Sequence, residues 1–323
     1  MRTTVLIIGL GQIGMGYDLE LDTAEYVYSH ARAFSLHPNF ELIGAVDINA
    51  ESRQVFESIY QCSTFTSIES ALNQISPQCV VIATPTQFHC ENLYEIIEKS
   101  RAKPKIIICE KPLSYSLQES ESMVEACEQN NIELYVNYMR VSEPGVAEIK
   151  KRLQNNVIQS PVKGTVWYSK GFLHNGSHFF NLIEYLLGDV VDIKIIQTGR
   201  GLAEGDAEPD VLVKFELGDI IFLAAQEENY SYHKIELIAP NGRLLYENGG
   251  RKITWNSVTP SHELKGYSFL SEKVEPISSE LNRYQWYVAD ELNKSMSGLK
   301  VALCSGRQAL HTLENMQLIL GKR

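Results

Sequence analysis

The chain has 323 residues, a length that favours two domains over a single core. Hydrophobic residues make up 44% and charged residues 21%, the mixture typical of soluble globular proteins. A formal net charge of −11 without any basic stripe argues against nucleic acid as a partner, and no apolar stretch is long enough for a membrane span.

The first residues and the cysteines favour a cytoplasmic protein. The opening stretch, MRTTVLIIGLGQIG, lacks a signal-peptide cleavage pattern and predicts a first strand. The six cysteines include no C-x-x-C pair, so we expect reduced, mostly buried thiols.

Strand-like and helix-like segments then alternate along the first part of the chain. The predicted strands are apolar throughout, as strands covered on both faces are: 4–10, 41–47, 79–84, 105–110 and 133–138. Amphipathic helices are predicted between them, at 51–61, 90–100 and 116–130. This alternation predicts an α/β fold with a doubly wound parallel sheet of the Rossmann type, which we place at residues 1–140.

The pattern changes near residue 160. Short strands follow one another, and ELGD (216–219) and APNG (239–242) are typical hairpin connections. We therefore predict a second α/β domain, residues 141–323, with a large, mainly antiparallel sheet. A pair of helices, roughly 278–296 and 301–320, is predicted to close the chain.

A glycine-rich loop follows the first predicted strand. It has the G-x-G-x-x-G pattern with the residues Gly9, Gly11, Gln12, Ile13 and Gly14. In this context the first glycine permits a tight turn, the second admits a pyrophosphate, and the third allows close helix packing. The alternative is a plain glycine turn.

Asp47 ends the second predicted strand. An acid here accepts hydrogen bonds from the adenosine ribose and repels a 2′-phosphate, which favours NAD over NADP. The alternative is that Asp47 caps the next helix. Asp47 lies 33 residues after Gly14, farther than the pattern expects. The excess indicates an insertion at 17–29, either a solvated loop or a lid over the cofactor cleft.

A third motif stands at the end of the predicted strand 105–110. Glu110, Lys111 and Pro112 come where ligands of an open α/β sheet bind, and Pro112 keeps Lys111 out of helical conformation. Thr84 and Pro85 end a neighbouring strand in the same way. The alternative for Lys111 is an ordinary solvated lysine.

Four stretches together resemble the Gfo/Idh/MocA oxidoreductases, the family of glucose–fructose oxidoreductase and the inositol dehydrogenases. They are Gly9–Gly14, Ala83–His89, Glu110–Pro112 and Gly176–His178. The resemblance implies that Lys111 lies beside the nicotinamide and contacts the reacting hydroxyl, with a Lys111–Pro112 bond that is often cis. It also places Thr84, Pro85, His89 and Glu110 on the cofactor side. A helix-start histidine without a ligand remains the alternative for His89.

The stretch 171–181 carries the fourth motif. The family pattern is commonly Asp-x-Gly-x-His-x-x-Asp, and this chain has His174 and Asn181 in place of the two acids. The resemblance makes His178 the general base, a role that imidazole suits. His174, Asn175, Asn181 and Arg140 are candidate substrate contacts, although Arg140 could form only a surface salt bridge. Two histidines four apart could bind a metal, but no third ligand supports this and we predict none.

We therefore predict an NAD(H)-dependent oxidoreductase acting on a secondary alcohol of a sugar, nucleotide sugar or cyclitol. We expect a homodimer or homotetramer, with neither nucleic acid nor a membrane as partner. Two alternatives stay open: a non-catalytic NAD-binding sensor, and a redox-coupled NAD-dependent glycosidase.

Overall fold

The computed structural model describes residues 2–202, 205–225, 227 and 229–322. These residues form two compact units. The first runs to Ser142 and includes Asn282–His311, and the second comprises Glu143–Leu281 and the end of the chain from Thr312. The predicted boundary between residues 140 and 141 stays a prediction, but residues 282–311, which it gave to the second domain, pack in the first unit.

The strands and helices have the following bounds. The strands are β1 (Thr3–Ile8), β2 (Phe40–Val46), β3 (Thr64–Phe65), β4 (Cys79–Ile82), β5 (Ile106–Cys109), β6 (Glu133–Val136), β7 (Val162–Tyr168), β8 (Val190–Gln197), β9 (Asp210–Phe215), β10 (Gly218–Ala224), β11 (Lys234–Ala239), β12 (Gly242–Glu247), β13 (Lys252–Pro260), β14 (Ser268–Leu270), β15 (Glu275–Ile277) and β16 (Cys304–Ser305). The helices are α1 (His30–Leu36), α2 (Ala50–Tyr60), α3 (Ile68–Leu72), α4 (His89–Lys99), α5 (Leu117–Gln129), α6 (Pro144–Gln154), α7 (Ser177–Leu187), α8 (Tyr284–Met296) and α9 (Gly306–Ile319).

The sheet of the first unit has the order β16-β6-β5-β4-β1-β2-β3. Every pair is parallel except β16 with β6, which confirms the predicted Rossmann-type sheet. The strands are apolar on both faces because both faces are covered; all four residues of β5 are buried. The predicted strands run past the observed ends of β4, β5 and β6 by two residues or less.

The second unit contains one large sheet. Its order is β14-β13-β12-β11-β7-β10-β9-β8, and β15 pairs with β13. The sheet is mainly antiparallel, as predicted, with tight connections between β9 and β10 and between β11 and β12. One pair departs from the predicted run of hairpins: β7 and β10 are parallel neighbours.

The predicted helix 278–296 starts later than expected, at Tyr284. Ser279 donates its hydroxyl to the Gly250 carbonyl, and the Glu280 N–H binds the Glu143 carboxylate at 2.6 Å. These contacts hold residues 278–280 in a loop.

Within the described residues, no helix combines the length and apolar character that a membrane span requires.

Candidate active site

The glycine loop follows β1 with the backbone that its pattern predicts. Gly9 has φ +95°, and a Cβ there would lie 2.7 Å from the Ala83 carbonyl oxygen. A Cβ on Gly14 would lie 2.1 Å from the Gly9 carbonyl oxygen, so neither position admits another residue. A Cβ on Gly11, by contrast, would meet no atom of the described residues within 4 Å. Gly11 therefore leaves open space on the loop, as a pyrophosphate-binding position requires.

The insertion separates this loop from α1. The first N–H groups of α1, on His30 and Ala31, donate to the carbonyls of Ile13 and Gly14 at 3.0 and 2.9 Å. The helix therefore starts against the glycine loop, and the chain between them is an excursion. The segment that the spacing between Gly14 and Asp47 predicts as an insertion, residues 17–29, ends directly before α1 begins at His30.

The ends of the insertion are fastened by a buried acid. Asp18 accepts hydrogen bonds from the backbone N–H groups of Tyr28 and Ser29 at 2.6 and 2.8 Å. Arg32 lies beside it and donates to the Leu21 and Tyr26 carbonyls. A freely solvated loop is therefore wrong for these ends, although residues 19–25 are exposed. The function of the segment as a lid stays a prediction.

Asp47 connects β2 to the glycine loop. Its carboxylate accepts from the Leu10 N–H at 2.6 Å and from the Asn49 N–H at 2.7 Å. The N-cap of α2 is Asn49, whose side chain accepts from Glu51 and Ser52, so Asp47 does not cap this helix. Each carboxylate oxygen keeps a further lone pair for ribose hydroxyls.

A cleft of about 500 Å³ brings five of the predicted cofactor residues of this unit together, and its lining does not include the other six, Gln12, Ile13, Gly14, His89, Glu110 and Lys111. Gly9, Gly11, Asp47, Thr84 and Pro85 all line it. The cleft lies outside the carboxyl ends of the strands, where nucleotides bind in open α/β sheets. The open space at Gly11 and the free acceptor capacity of Asp47 fit a dinucleotide.

His89, the first residue of α4, is fully buried. Its Nε2 lies 2.9 Å from the Thr84 carbonyl, and its Nδ1 lies 3.1 and 3.2 Å from the Pro112 and Leu113 carbonyls. The ring therefore connects the turn after β4 to the turn after β5. Direct contact of His89 with the cofactor stays a prediction.

We expect His89 to make the protein less stable in acid. Burial lowers the pKa of His89, and the contacts with Thr84 and Glu110 offset only part of this effect. The unfolded chain then binds the proton more readily, so the free energy of unfolding should fall as pH drops below about 6.5, by about 1.4 kcal/mol for each unit of pKa difference. His89→Gln should flatten this slope in urea titrations between roughly pH 5 and 7.

The exposed His262→Asn variant serves as the control and should keep the wild-type slope. His37, whose pKa burial also lowers, continues to contribute to the slope in both variants. An unchanged slope in His89→Gln would contradict the prediction.

Lys111 is partly buried at the carboxyl end of β5. Its peptide bond to Pro112 is cis. Glu110, on the other side, accepts hydrogen bonds from His30 and Asn137, both at 2.7 Å.

Arg140 lies in a 3-10 helix of the same unit, Met139–Ser142. Its side chain is buried, with 9% of the residue exposed, so the alternative of a surface salt bridge is wrong.

The second unit carries the histidine motif. A π-helix, Phe172–Gly176, leads directly into α7. His174 is exposed and His178 partly buried. Asn175 donates to the Ser169 carbonyl at 3.2 Å, and Asn181 is buried and donates to the Thr312 hydroxyl at 3.1 Å. The predicted roles of these residues toward a substrate stay predictions.

Asp206 supports this motif and was missed from the sequence. Its carboxylate accepts from the N–H groups of Leu173 and His174 at 2.9 and 3.1 Å. Asp206 thereby caps the start of the π-helix and brings a carboxylate close to the position where the family commonly has an acid. No spacing signal connects residue 206 to residue 174.

Among the described residues, no group of three or more His, Cys, Asp or Glu side chains could hold a metal.

Comparison with known proteins agrees with this geometry. Residues 3–138 match the model of an oxidoreductase family with an NAD-binding Rossmann fold, Gfo/Idh/MocA. The resemblance to the Gfo/Idh/MocA oxidoreductases is confirmed. The myo-inositol 2-dehydrogenase of Thermotoga maritima is 22% identical, over 97% of each chain.

Two further relatives extend the comparison. The 2,7-anhydro-N-acetylneuraminate hydratase of Escherichia coli is 22% identical over 67% of this chain, and the match spans only 61% of that relative. The crystal structure of the WlbA dehydrogenase from Bordetella pertussis, in complex with NADH and UDP-GlcNAcA, has a TM-score of 0.74 at 17% identity and covers 99% of this chain and 95% of its own. At such identity the structural likeness establishes the fold alone. The family match, to an oxidoreductase family with an NAD-binding Rossmann fold, agrees with the predictions of NAD as the cofactor and of an NAD(P)-dependent oxidoreductase.

Proposed function

We propose that the protein oxidises a secondary alcohol of a sugar, nucleotide-linked sugar or cyclitol with NAD, or catalyses the reverse reduction. The observation that carries the proposal is Lys111, held at the carboxyl end of β5 in the unit that contains the dinucleotide cleft. A relative named for myo-inositol and a structural neighbour crystallised with a nucleotide sugar support this substrate class.

The chain's own residues divide the work in this proposal. Lys111 donates to the reacting oxygen and stabilises its developing charge. His178 takes the hydroxyl proton as general base, and His174, Asn175, Asn181 and Arg140 contact the rest of the substrate. NAD, when bound, supplies the hydride chemistry.

A substrate screen tests the proposal. The purified protein is incubated with NAD+ and a panel of cyclitols, hexoses and UDP-sugars, and the absorbance of reduced nicotinamide is followed. Turnover that Lys111→Met lacks would support the proposal. No reduction with any compound, in either direction, would overturn it. Substrate consumption without net reduced nicotinamide would point to redox-neutral chemistry and would also overturn it.

Asp47 should set the choice of cofactor, with NADH bound more tightly than NADPH. The 2′-phosphate of NADPH would meet the Asp47 carboxylate, so Asp47→Ala should narrow the difference in affinity between NADH and NADPH. The variant should also weaken NADH binding, because it removes the contact with Leu10. Fluorescence titration with both reduced cofactors measures these effects. Glu51→Ala, an exposed acid on α2, is the matched control, and tighter NADPH binding by the wild type would contradict the prediction.

We also propose a homodimer or homotetramer formed through the sheet of the second unit. The edge strand β8 exposes apolar side chains: Val191 is 59%, Ile195 42% and Ile196 54% exposed. Ile196→Lys should therefore lower the molar mass measured by light scattering. Val157→Lys, at a position outside the sheet that is 50% exposed, should leave it unchanged. A monomeric wild type would contradict the prediction.

A further inference from the structure

Four side chains of the first unit close a ring of hydrogen bonds, which we call the Glu110 network. Glu110 Oε1 lies 2.7 Å from His30 Nε2 and 2.7 Å from Asn137 Nδ2. Gln285 completes the ring, since its Nε2 lies 2.7 Å from His30 Nδ1 and its Oε1 accepts from Asn137 at 3.2 Å. His30, Asn137 and Gln285 are at most 4% exposed. The network joins the start of α1 and the first turn of α8 to the ends of β5 and β6.

The donors and acceptors of the network have one consistent arrangement when Glu110 is ionised. A carboxylate only accepts, so Asn137 must present its NH₂ group to Glu110. The same NH₂ group reaches Gln285, which must present its carbonyl oxygen and therefore turns its own NH₂ toward His30. Gln285 Nε2 lies 2.7 Å from His30 Nδ1 and 3.0 Å from His30 Nε2. His30 then accepts at Nδ1 and donates from Nε2 to Glu110.

The network opposes the effect of burial on Glu110. Burial alone would raise the pKa of Glu110, but the hydrogen bonds from His30 and Asn137 and the charge of Lys111 together hold it below its usual value. Besides His30 and Lys111, the titratable groups that interact with Glu110 include Cys109, His89 and Tyr284. The network thus favours the charged carboxylate, whereas burial alone favours the neutral form.

Lys111 lies between two anchored neighbours. On one side, the Glu110 N–H binds the Ile82 carbonyl at 2.9 Å and its side chain is held by the network. On the other side, the Pro112 carbonyl faces His89. The backbone that carries Lys111 is therefore held on both sides, and the charge of Lys111 interacts with the Glu110 carboxylate.

We propose that His30 is a positioning residue for Lys111, acting through the Glu110 network that keeps an ionised carboxylate beside the lysine. The inference rests on the proposed function, in which Lys111 contacts the reacting oxygen. His30 follows the insertion directly, so this residue also connects the fastened end of that segment to the reacting lysine.

Three variants test the effect on turnover. His30→Leu removes the donor to Glu110 and should lower kcat by about tenfold to a hundredfold, the range expected for a misplaced catalytic group, with the KM for NAD+ unchanged. His30→Gln restores a donor near the position of Nε2 and should recover most of the rate. His37→Leu, which removes another buried histidine next to α1, is the matched control and should keep kcat.

A second measurement follows the titration of Glu110 directly and does not require turnover. In protein labelled with ¹³C at the glutamate carboxyl groups, the signal absent from Glu110→Gln is that of Glu110. His30→Leu should raise the pH at which this signal titrates by at least one unit, because burial then acts on Glu110 with one donor fewer. His30→Gln and His37→Leu should titrate like the wild type.

The two measurements separate the possible failures. An unchanged Glu110 titration in His30→Leu, or an unchanged kcat, would overturn the positioning role. Equal losses in His30→Leu and His37→Leu would also overturn it, since they would indicate general destabilisation. A wild type inactive on every sugar and cyclitol would overturn the proposed function, while the titration would still decide whether His30 keeps Glu110 ionised.

Discussion

Lys111→Met should lower the rate of hydride transfer by about a hundredfold or more while NAD still binds. Methionine keeps the length of the side chain but can neither donate a hydrogen bond nor carry charge, so the reacting oxygen loses its partner. The cleft is lined by Gly9, Gly11 and Asp47, which the substitution leaves in place. Single-turnover absorbance measures the hydride step, and fluorescence titration measures NADH binding.

Lys105→Met is the matched control for this prediction. Lys105 precedes β5 at its opposite end and is exposed, so its loss changes the charge of the protein by the same amount without touching the carboxyl end. The control should keep the wild-type rate. A near-normal rate in Lys111→Met would overturn the proposed mechanism.

The sequence predicts the first unit well because its signals are local. Each parallel strand is an unbroken apolar run, and Gly9 and Gly14 stand where any side chain would collide with backbone. The position of Lys111 follows from the same rules, since a residue after a parallel strand comes to the binding edge of the sheet. These inferences require only neighbouring residues and the geometry of a strand.

The missed features depend on contacts between distant segments. His30, Glu110, Asn137 and Gln285 form one network, yet nothing in the spacing of these residues connects them. The location of α8 in the first unit has the same origin, because its apolar residues Val288 and Leu292 pack in that unit's core. The parallel pairing of β7 with β10 depends on how the whole sheet is assembled, which short turns do not determine.

The histidine motif was predicted from its resemblance to the family motif. The contacts that hold the motif in place were not predicted. The sequence indicates that His174 and Asn181 replace the usual acids, but not that Asp206 holds the N–H groups of the π-helix. Asp206 thus supplies a carboxylate to this part of the unit from another segment of the chain. The missing acid in the motif is therefore weaker evidence for an inactive protein than the sequence alone indicates.

The second large effect is expected from His178. His178→Asn should slow alcohol oxidation by about a hundredfold to ten-thousandfold, the usual loss when a general base is removed. A histidine base must be neutral to accept a proton. The wild-type rate should therefore rise with pH across the range in which imidazole loses its proton, and this rise should be absent from the variant.

His174→Asn distinguishes the two histidines of the motif. His174 is exposed at the π-helix, and we expect it to contact substrate, so the variant should raise the KM for the alcohol more than it lowers the rate of the chemical step. Both variants are compared by single-turnover hydride transfer from about pH 5 to 9, a range that spans the titration of a histidine base. If His174→Asn loses more of the rate than His178→Asn, and also loses the rise with pH, then His174 is the base and the assignment of His178 is wrong.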